Sequence, residues 1–219
     1  MAEELTLKTK IVRVDLQSGG LAGGFSVRVK QIADLDPLLA RVKVEDDIPF
    51  WAELWPSSLA LARYLWQGAD LTGYKTLELG AGLGLSGIVA GLKGASVLQT
   101  DLVVESLNWA RENAVLNGLE TIRYQQADWR DFRVEGTFDL IIGSDVLYEP
   151  KLHPHLESIL SSRLAPGGRT CLADPGRTGG ELFIETLQGK GWSVTKETIT
   201  VLHDGLTNSI NIYQVERRN

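Results

Sequence analysis

The sequence predicts an α/β fold built on a doubly wound, mostly parallel, seven-stranded sheet with helices on both faces. Three observations carry that expectation. Short apolar runs alternate with amphipathic stretches from Thr76 to Lys190, as parallel strands joined by crossover helices require. A glycine turn, Gly80-Ala81-Gly82-Leu83-Gly84, joins one apolar run directly to a helical pattern. The last two apolar runs follow each other with no helix between them, which predicts a closing antiparallel hairpin.

The elements follow in order. Ile11-Val12-Arg13-Val14 and Phe25-Ser26-Val27-Arg28-Val29 alternate apolar and polar residues on either side of the glycine-rich stretch Gly19 to Gly24. That pattern predicts a two-stranded hairpin, followed by a short helix around Leu35 to Val42. Residues 1–48 are therefore expected to form an N-terminal extension, and residues 49–219 the main domain. At Pro56 a helix opens, carrying Leu59, Ala62, Leu65 and Trp66 at helical spacing, because proline suits the first helical turn. Then come strand Thr76–Leu79, helix Leu85–Leu92, strand Ser96–Thr100, helix Val104–Leu116, strand Thr121–Gln125 and strand Phe138–Gly143. Helix Leu152–Leu164, strand Arg169–Ala173 and helix Gly180–Lys190 precede the final strands near Ser193–Thr200 and Asn208–Val215.

Composition narrows the function. With 219 residues, 43% of them hydrophobic, the chain can bury one sizeable core. A formal net charge of −6 argues against a broad phosphate-binding surface, so nucleic acid is not an expected partner. No apolar run approaches the roughly 18 residues of a membrane span, and Met1–Lys10 shows no basic segment followed by an apolar run. A cytoplasmic, monomeric protein is the expectation. Cys171, the only cysteine, reads as a small buried core residue. His153, His155 and His203 lack any acid or cysteine spacing that makes a metal site and read as surface residues.

The segment Leu77-Glu78-Leu79-Gly80-Ala81-Gly82-Leu83-Gly84 passes from strand through glycine turn to helix, and Asp101 ends the next strand. A doubly wound fold places such an acid against ribose hydroxyls, so the order of features predicts a nucleoside pocket. The dinucleotide pattern G-x-G-x-x-G is not met from Gly80, where Leu85 takes the last place. On Glu78, Gly80, Gly82 and Gly84 the sequence resembles the class I methyltransferases, over roughly Thr76 to Val215. The resemblance implies S-adenosylmethionine as cofactor, Asp101 on its ribose, and Asp128 and Trp129 beside its adenine. Trp129 taken alone reads equally well as a core or surface aromatic.

Three further segments resemble the family-16 protein methyltransferases, seven-strand enzymes that largely modify lysine side chains. Phe50-Trp51-Ala52-Glu53-Leu54-Trp55-Pro56 precedes the first main-domain helix, and the resemblance puts Trp55 next to the cofactor; a capped helix with aromatic anchors is the alternative. Ser144-Asp145-Val146-Leu147-Tyr148 matches the family's acid-x-x-aromatic signature. Ala173-Asp174-Pro175-Gly176-Arg177 looks like the Asp-Pro-Gly-Arg segment of the electron transfer flavoprotein β-subunit lysine methyltransferases. Asp101, Asp145 and Asp174 all fall at carboxyl ends of strands, where open α/β sheets bind ligands, although Asp174 before Pro-Gly equally suits a turn. The expected function is methyl transfer to a protein lysine, with Asp145 orienting the amine, Tyr148 walling its channel, and Ser144 on the cofactor. A small-molecule amine acceptor, a nicotinamide-dependent oxidoreductase and a noncatalytic nucleotide-binding module are the rival readings. The absence of an Asn/Asp-Pro-Pro-aromatic signature after the fourth strand lowers adenine-N6 and glutamine-N5 methylation.

Overall fold

The computed structural model describes residues 7–17, 25–43 and 48–218. Strands β1 (Thr9–Asp15) and β2 (Ser26–Ile32) pair antiparallel, as their alternation predicted. The glycine-rich stretch predicted as their loop lies outside the described residues. Helix α1 covers only Asp36–Leu39, shorter than predicted, and buries none of its residues. A single turn with no packed face has nothing to offset the entropy of extending it.

Helix α2 (Pro56–Gln67) does open with its proline in the first turn. Strand β3 (Lys75–Leu79), helix α3 (Leu85–Leu92), strand β4 (Ser96–Asp101), helix α4 (Val104–Leu116), strand β5 (Arg123–Gln126) and strand β6 (Phe138–Ser144) follow close to the predicted limits. Helix α5 (His153–Arg163) gives way at once to strand β7 (Leu164–Asp174), which is twice the predicted length. Leu164 pairs with Phe138, and the register then shifts before Leu140 pairs with Arg169. That irregularity is where Pro166 and Gly167 (φ 75°) sit, so two residues that read as a loop are absorbed into a bulged strand. Helix α6 (Thr178–Gly189) leads to β8 (Trp192–His203) and β9 (Leu206–Arg217). The last two join through Asp204-Gly205, with φ 48° and 76°, the backbone that a two-residue hairpin turn demands.

The seven-stranded sheet has order β5-β4-β3-β6-β7-β9-β8, parallel except for β9, which runs antiparallel to both neighbours. Alternating side chains feed two cores. Leu140 and Ile142 face α2, α3 and the hairpin residues Val14, Leu16, Val27 and Val29. Leu77, Leu79 and Ile141 face Leu156, Leu160, Phe183 and Leu187 of α5 and α6. Cys171 is buried in the first core, where burial pushes its thiol up to about 12 and keeps it an unreactive thiol. Among the described residues no helix is long and apolar enough to cross a membrane.

The hairpin is bound to α4 through two asparagines one turn apart. Asn113 Oδ1 accepts from Lys30 N–H at 2.7 Å and Asn117 Oδ1 accepts from Arg28 N–H at 2.9 Å, while their amides donate to the carbonyls of the same two residues. Side-chain amides thus stand in for a neighbouring strand along the β2 edge. Asn113 Nδ2 also donates to the Leu83 carbonyl at 3.0 Å, so one fully buried amide holds both the hairpin and the glycine turn. Asn113→Ala leaves those backbone groups unpaired and should destabilise the protein by about 2–3 kcal/mol, read from urea unfolding; a loss below about 0.5 kcal/mol would mean that the amide carries no such load.

Candidate active site

The strand order reverses between β3 and β6, and the loops that leave their carboxyl ends meet there. The first loop needs glycine. Gly80, Gly82 and Gly84 have φ of 63°, 52° and 83°, a region closed to most side chains. At Gly84 a Cβ would also stand 2.8 Å from the Ala110 Cβ, so the turn packs directly on α4. Each part of the loop is tied down from below. Ala81 N–H donates to the Thr100 carbonyl (2.9 Å), Ser106 Oγ to the Gly82 carbonyl (3.0 Å), and Gln99 Nε2 to the Gly84 carbonyl (2.9 Å).

Glu78 lies beneath this turn. The parallel register sets it beside Gln99, and both side chains point to the α3 face. Its Oε2 accepts from Gly87 N–H at 3.1 Å and from Gln99 Nε2 at 2.5 Å, and the residue is 1% exposed. Burial pushes its pKa up to about 8 against the opposing pull of those two donors. Glu78 therefore supports the loop from within. Asp101, at the end of β4, accepts from Gly82 N–H and Val103 N–H, both at 3.0 Å. A carboxylate has about four acceptor positions, so each oxygen retains capacity for a hydroxyl donor.

Other predicted residues gather around the loop. The Trp129 ring lies over Gly80, where a Cβ would stand 3.6 Å from Cζ2. Asp128 is gripped by the Arg130 guanidinium and accepts from Arg130 N–H, and those hydrogen bonds hold its carboxyl below the usual range. On the opposite side, the carbonyl of Trp51 approaches Gly82. Trp55 Nε1 donates to the Phe50 carbonyl at 2.7 Å, and the Phe50 ring bridges Trp55 and Tyr148 at centroid distances of 6.3 and 6.1 Å. Phe50 and Tyr148 are about half exposed and form an aromatic rim.

Beyond Ser144, Asp145 takes a left-handed backbone (φ 56°), and its N–H donates to the Ala173 carbonyl at 2.9 Å. Its Oδ1 accepts from Arg177 Nη1 at 2.7 Å, and the same nitrogen donates to Asp174 Oδ2 at 2.9 Å. Asp174 Oδ1 accepts from the N–H groups of Gly176 and Arg177, both at 2.8 Å. Asp145 Oδ2 is buried with no hydrogen-bond partner, and so is Ser57 Oγ in the first turn of α2. Burial raises the Asp145 pKa, opposed by the nearby Ser57 hydroxyl and by Arg177. Val146, the next residue, packs against Gly80 and joins this loop to the glycine turn.

Sequence reading missed two of these residues. Ser57 belongs to no motif, and only its buried place at the start of α2 marks it. Arg177 was visible in Asp-Pro-Gly-Arg, but its reach across to Asp145, 32 positions away, depends on the β6–β7 pairing. His153, expected at the surface, is half-buried; its Nε2 lies 3.1 Å from the Leu147 carbonyl and its ring packs on Phe183. Among the described residues no His, Cys, Asp and Glu cluster could hold a metal. A concavity of about 870 Å³ lined by Lys75, Arg123 and Phe138 lies at the amino ends of the strands, away from these loops.

Residues 42–187 match the family model described as lysine methyltransferase. The histidine protein methyltransferase 1 homolog of Dictyostelium discoideum is 29% identical over 76% of this chain and 57% of its own length. The electron transfer flavoprotein beta subunit lysine methyltransferase of Rattus norvegicus is 36% identical over 59% of this chain and 51% of its own. The chain thus spans between half and three fifths of the length of these curated relatives. Among solved structures, the ribosomal protein L11 methylase of Lactobacillus delbrueckii subsp. bulgaricus superposes with a TM-score of 0.58 at 26% identity, over 74% of this chain and 79% of that one.

Two results follow from the loop. Gly84→Ala forces a side chain into a left-handed conformation against Ala110, and should cost roughly 2 kcal/mol in urea unfolding; no loss would show that the turn relaxes freely. Glu78 has a folded pKa of about 8, above the 4.5 of the unfolded chain, so between those values the folded state binds the extra proton and stability falls as pH rises. Glu78→Gln should remove that part of the slope, making the variant's unfolding free energy gain on wild type from pH 5 to 8. Parallel pH dependences would refute the assignment.

Proposed function

The chain belongs to the lysine methyltransferase family, and on that footing we propose that it transfers a methyl group from S-adenosylmethionine to the side-chain nitrogen of a lysine in a protein. When bound, S-adenosylmethionine supplies a methyl group on a sulfonium, a cation that aromatic faces favour. In this reading residues 49–219 carry the transferase fold and residues 1–48 are an extension of it.

The residues fit such a cofactor. Gly80, Gly82 and Gly84 leave a backbone cradle with no side chains, and Asp101 keeps acceptor capacity for ribose hydroxyls. Trp129 over Gly80 offers a face to the adenine, with Asp128 beside it. Trp55 and Ser144 complete the wall. Glu78 acts through the loop, as a positioning residue that keeps Gly84 and Gly87 in place.

Asp145 and Tyr148 serve the acceptor. A lysine amine has a solution pKa of about 10.4 and must be neutral to attack, so the protein's task is to hold the neutral form in line and exclude water. The observation that carries this reading is Asp145 Oδ2, a buried acceptor with spare capacity near the Ser57 hydroxyl, while its twin oxygen is fixed by Arg177 and the next residue, Val146, packs on Gly80. That oxygen accepts an N–H of the amine and orients the lone pair. Orientation, rather than proton removal, is its role, because a carboxylate is a weak base toward an ammonium. Tyr148 and Phe50 line the approach for an aliphatic stem.

The test is transfer of label from methyl-tritiated S-adenosylmethionine to a cell extract, followed by hydrolysis of the labelled protein. Label in methyllysine, reduced roughly 100-fold by Asp145→Asn, is the expected result. Label in methylhistidine would move the acceptor to the chemistry of the Dictyostelium relative, label confined to small amines would remove the protein acceptor, and full turnover by the variant would remove Asp145.

A further inference from the structure

The Asp145–Arg177–Asp174 cluster holds more machinery than acceptance of one hydrogen bond requires. Two carboxylates converge on a single guanidinium nitrogen, one from the end of β6 and one from the end of β7. Asp174 is wholly buried and spends its other oxygen on the N–H groups of Gly176 and Arg177, so it fixes the backbone that launches Arg177. Space is reserved for it: a Cβ at Gly180, in the first turn of α6, would stand 3.3 Å from Asp174 Cγ and 3.2 Å from Leu147 Cβ. Arg177 in turn reaches 32 residues back along the chain to Asp145 Oδ1. Asp145 itself occupies a left-handed backbone, which L-residues rarely adopt.

We infer that Arg177 is a positioning residue: it locks the Asp145 carboxylate in one orientation and offsets the charge of the paired carboxylates, so that the pocket takes the acceptor amine in its neutral, nucleophilic form. The inference rests on the methyl-transfer reading for its purpose, though not for its geometry. With Oδ1 held at 2.7 Å by Arg177, the buried Oδ2 is the oxygen left for a further donor, with the Ser57 hydroxyl near the same carboxyl. The groups that bear on Asp145 are Arg177 from the start of α6, Asp174 from the end of β7 and the neutral Ser57 hydroxyl from α2. Both ionised carboxylates with Arg177 carry one net negative charge; without it they carry two. Two negative charges in a site this buried would hold a lysine as its ammonium, which has no lone pair to give. The carboxylates in turn outweigh burial and raise the Arg177 pKa, so the cation persists throughout the working range.

The sign of the effect follows. Removing the cation raises the Asp145 pKa and the pKa of a bound amine together, so any rate that needs either group deprotonated moves to higher pH. The test compares wild type, Arg177→Lys and Arg177→Gln. The Asp145 carboxyl is titrated by carbon-13 NMR in protein saturated with S-adenosylhomocysteine, and in separate samples without S-adenosylhomocysteine label transfer from tritiated S-adenosylmethionine to cell extract is followed from pH 6 to 10. In Arg177→Gln the Asp145 midpoint should rise by about one unit, with the ascending limb of the rate displaced in the same direction. Arg177→Lys should restore most of both shifts, and affinity for S-adenosylhomocysteine should stay within about threefold of wild type.

An Asp145 midpoint that does not move in Arg177→Gln would overturn the inference, as would equal loss of rate at every pH in both variants. If Arg177→Gln does not fold, the lysine variant decides: a midpoint near wild type supports the role, and one displaced as far as an unpaired buried carboxylate contradicts it. Absence of label transfer by wild type would sink the methyl-transfer reading alone, because the NMR titration reports the Arg177–Asp145 coupling without turnover.

Discussion

One buried carboxylate sets the geometry on which the site depends. The parallel pairing of β3 with β4 puts Glu78 opposite Gln99, and the two side chains share a single inward face under the glycine turn. Through Glu78 Oε2 the start of α3 is fixed at Gly87, and through Gln99 Nε2 the turn is fixed at Gly84. A loop of three left-handed glycines has many alternative conformations, so its shape must come from such external ties. Asp101, which accepts from the turn, and Ser106 and Asn113, which donate to it, complete the frame, and all three belong to β4 and α4. The shape of the turn is therefore set by the protein's own hydrogen bonds. Its stiffness comes from hydrogen bonds made by buried side chains, which are costly to break.

The second half of the site is electrostatic. The β6 and β7 loops deliver two aspartates, and one arginine at the head of α6 binds both. Here a buried pair alone would be weak grounds for stability, since desolvation consumes much of the Coulombic gain. Its value lies in direction. The cluster leaves one carboxylate oxygen of Asp145 unspent, aimed by its backbone and by Arg177, next to the residue that packs on Gly80. The glycine turn and the Asp145 loop thus meet through Val146, and Phe50 and Tyr148 form an aromatic pair about half exposed. The N-terminal hairpin is tied to the same frame, because Asn113 grips Lys30 and Leu83 with one amide.

Much of this was legible in the residues. Period-two alternation located both hairpin strands, and the limits of α3 and α4 could be read to the residue because glycine and short apolar runs bracket them. The strand-glycine-acid order placed Glu78, Gly80, Gly82, Gly84 and Asp101 around one turn, where the structure also has them. What failed had local causes. Pro166 and Gly167 concealed the first part of β7, since a bulge tolerates residues that a regular strand rejects. Glu78 stood in the motif that pointed to a cofactor, with nothing to say how it acts; its strand parity turns the side chain beneath the loop. Arg177 and Ser57 could not be joined to Asp145 at all: their contacts bring together α2, β6 and α6, and no spacing in one chain encodes a meeting of three elements.

The central claim is that this frame holds an adenosyl cofactor, and calorimetric titration of the purified protein with S-adenosylhomocysteine, run beside NADH and repeated on Asp101→Ala, tests it most directly. The account predicts saturable micromolar binding of S-adenosylhomocysteine, weakened at least tenfold by the substitution, and no heat from NADH beyond dilution. Failure to bind S-adenosylhomocysteine, or tighter binding of NADH, would contradict it and return the glycine turn to the dinucleotide-binding class.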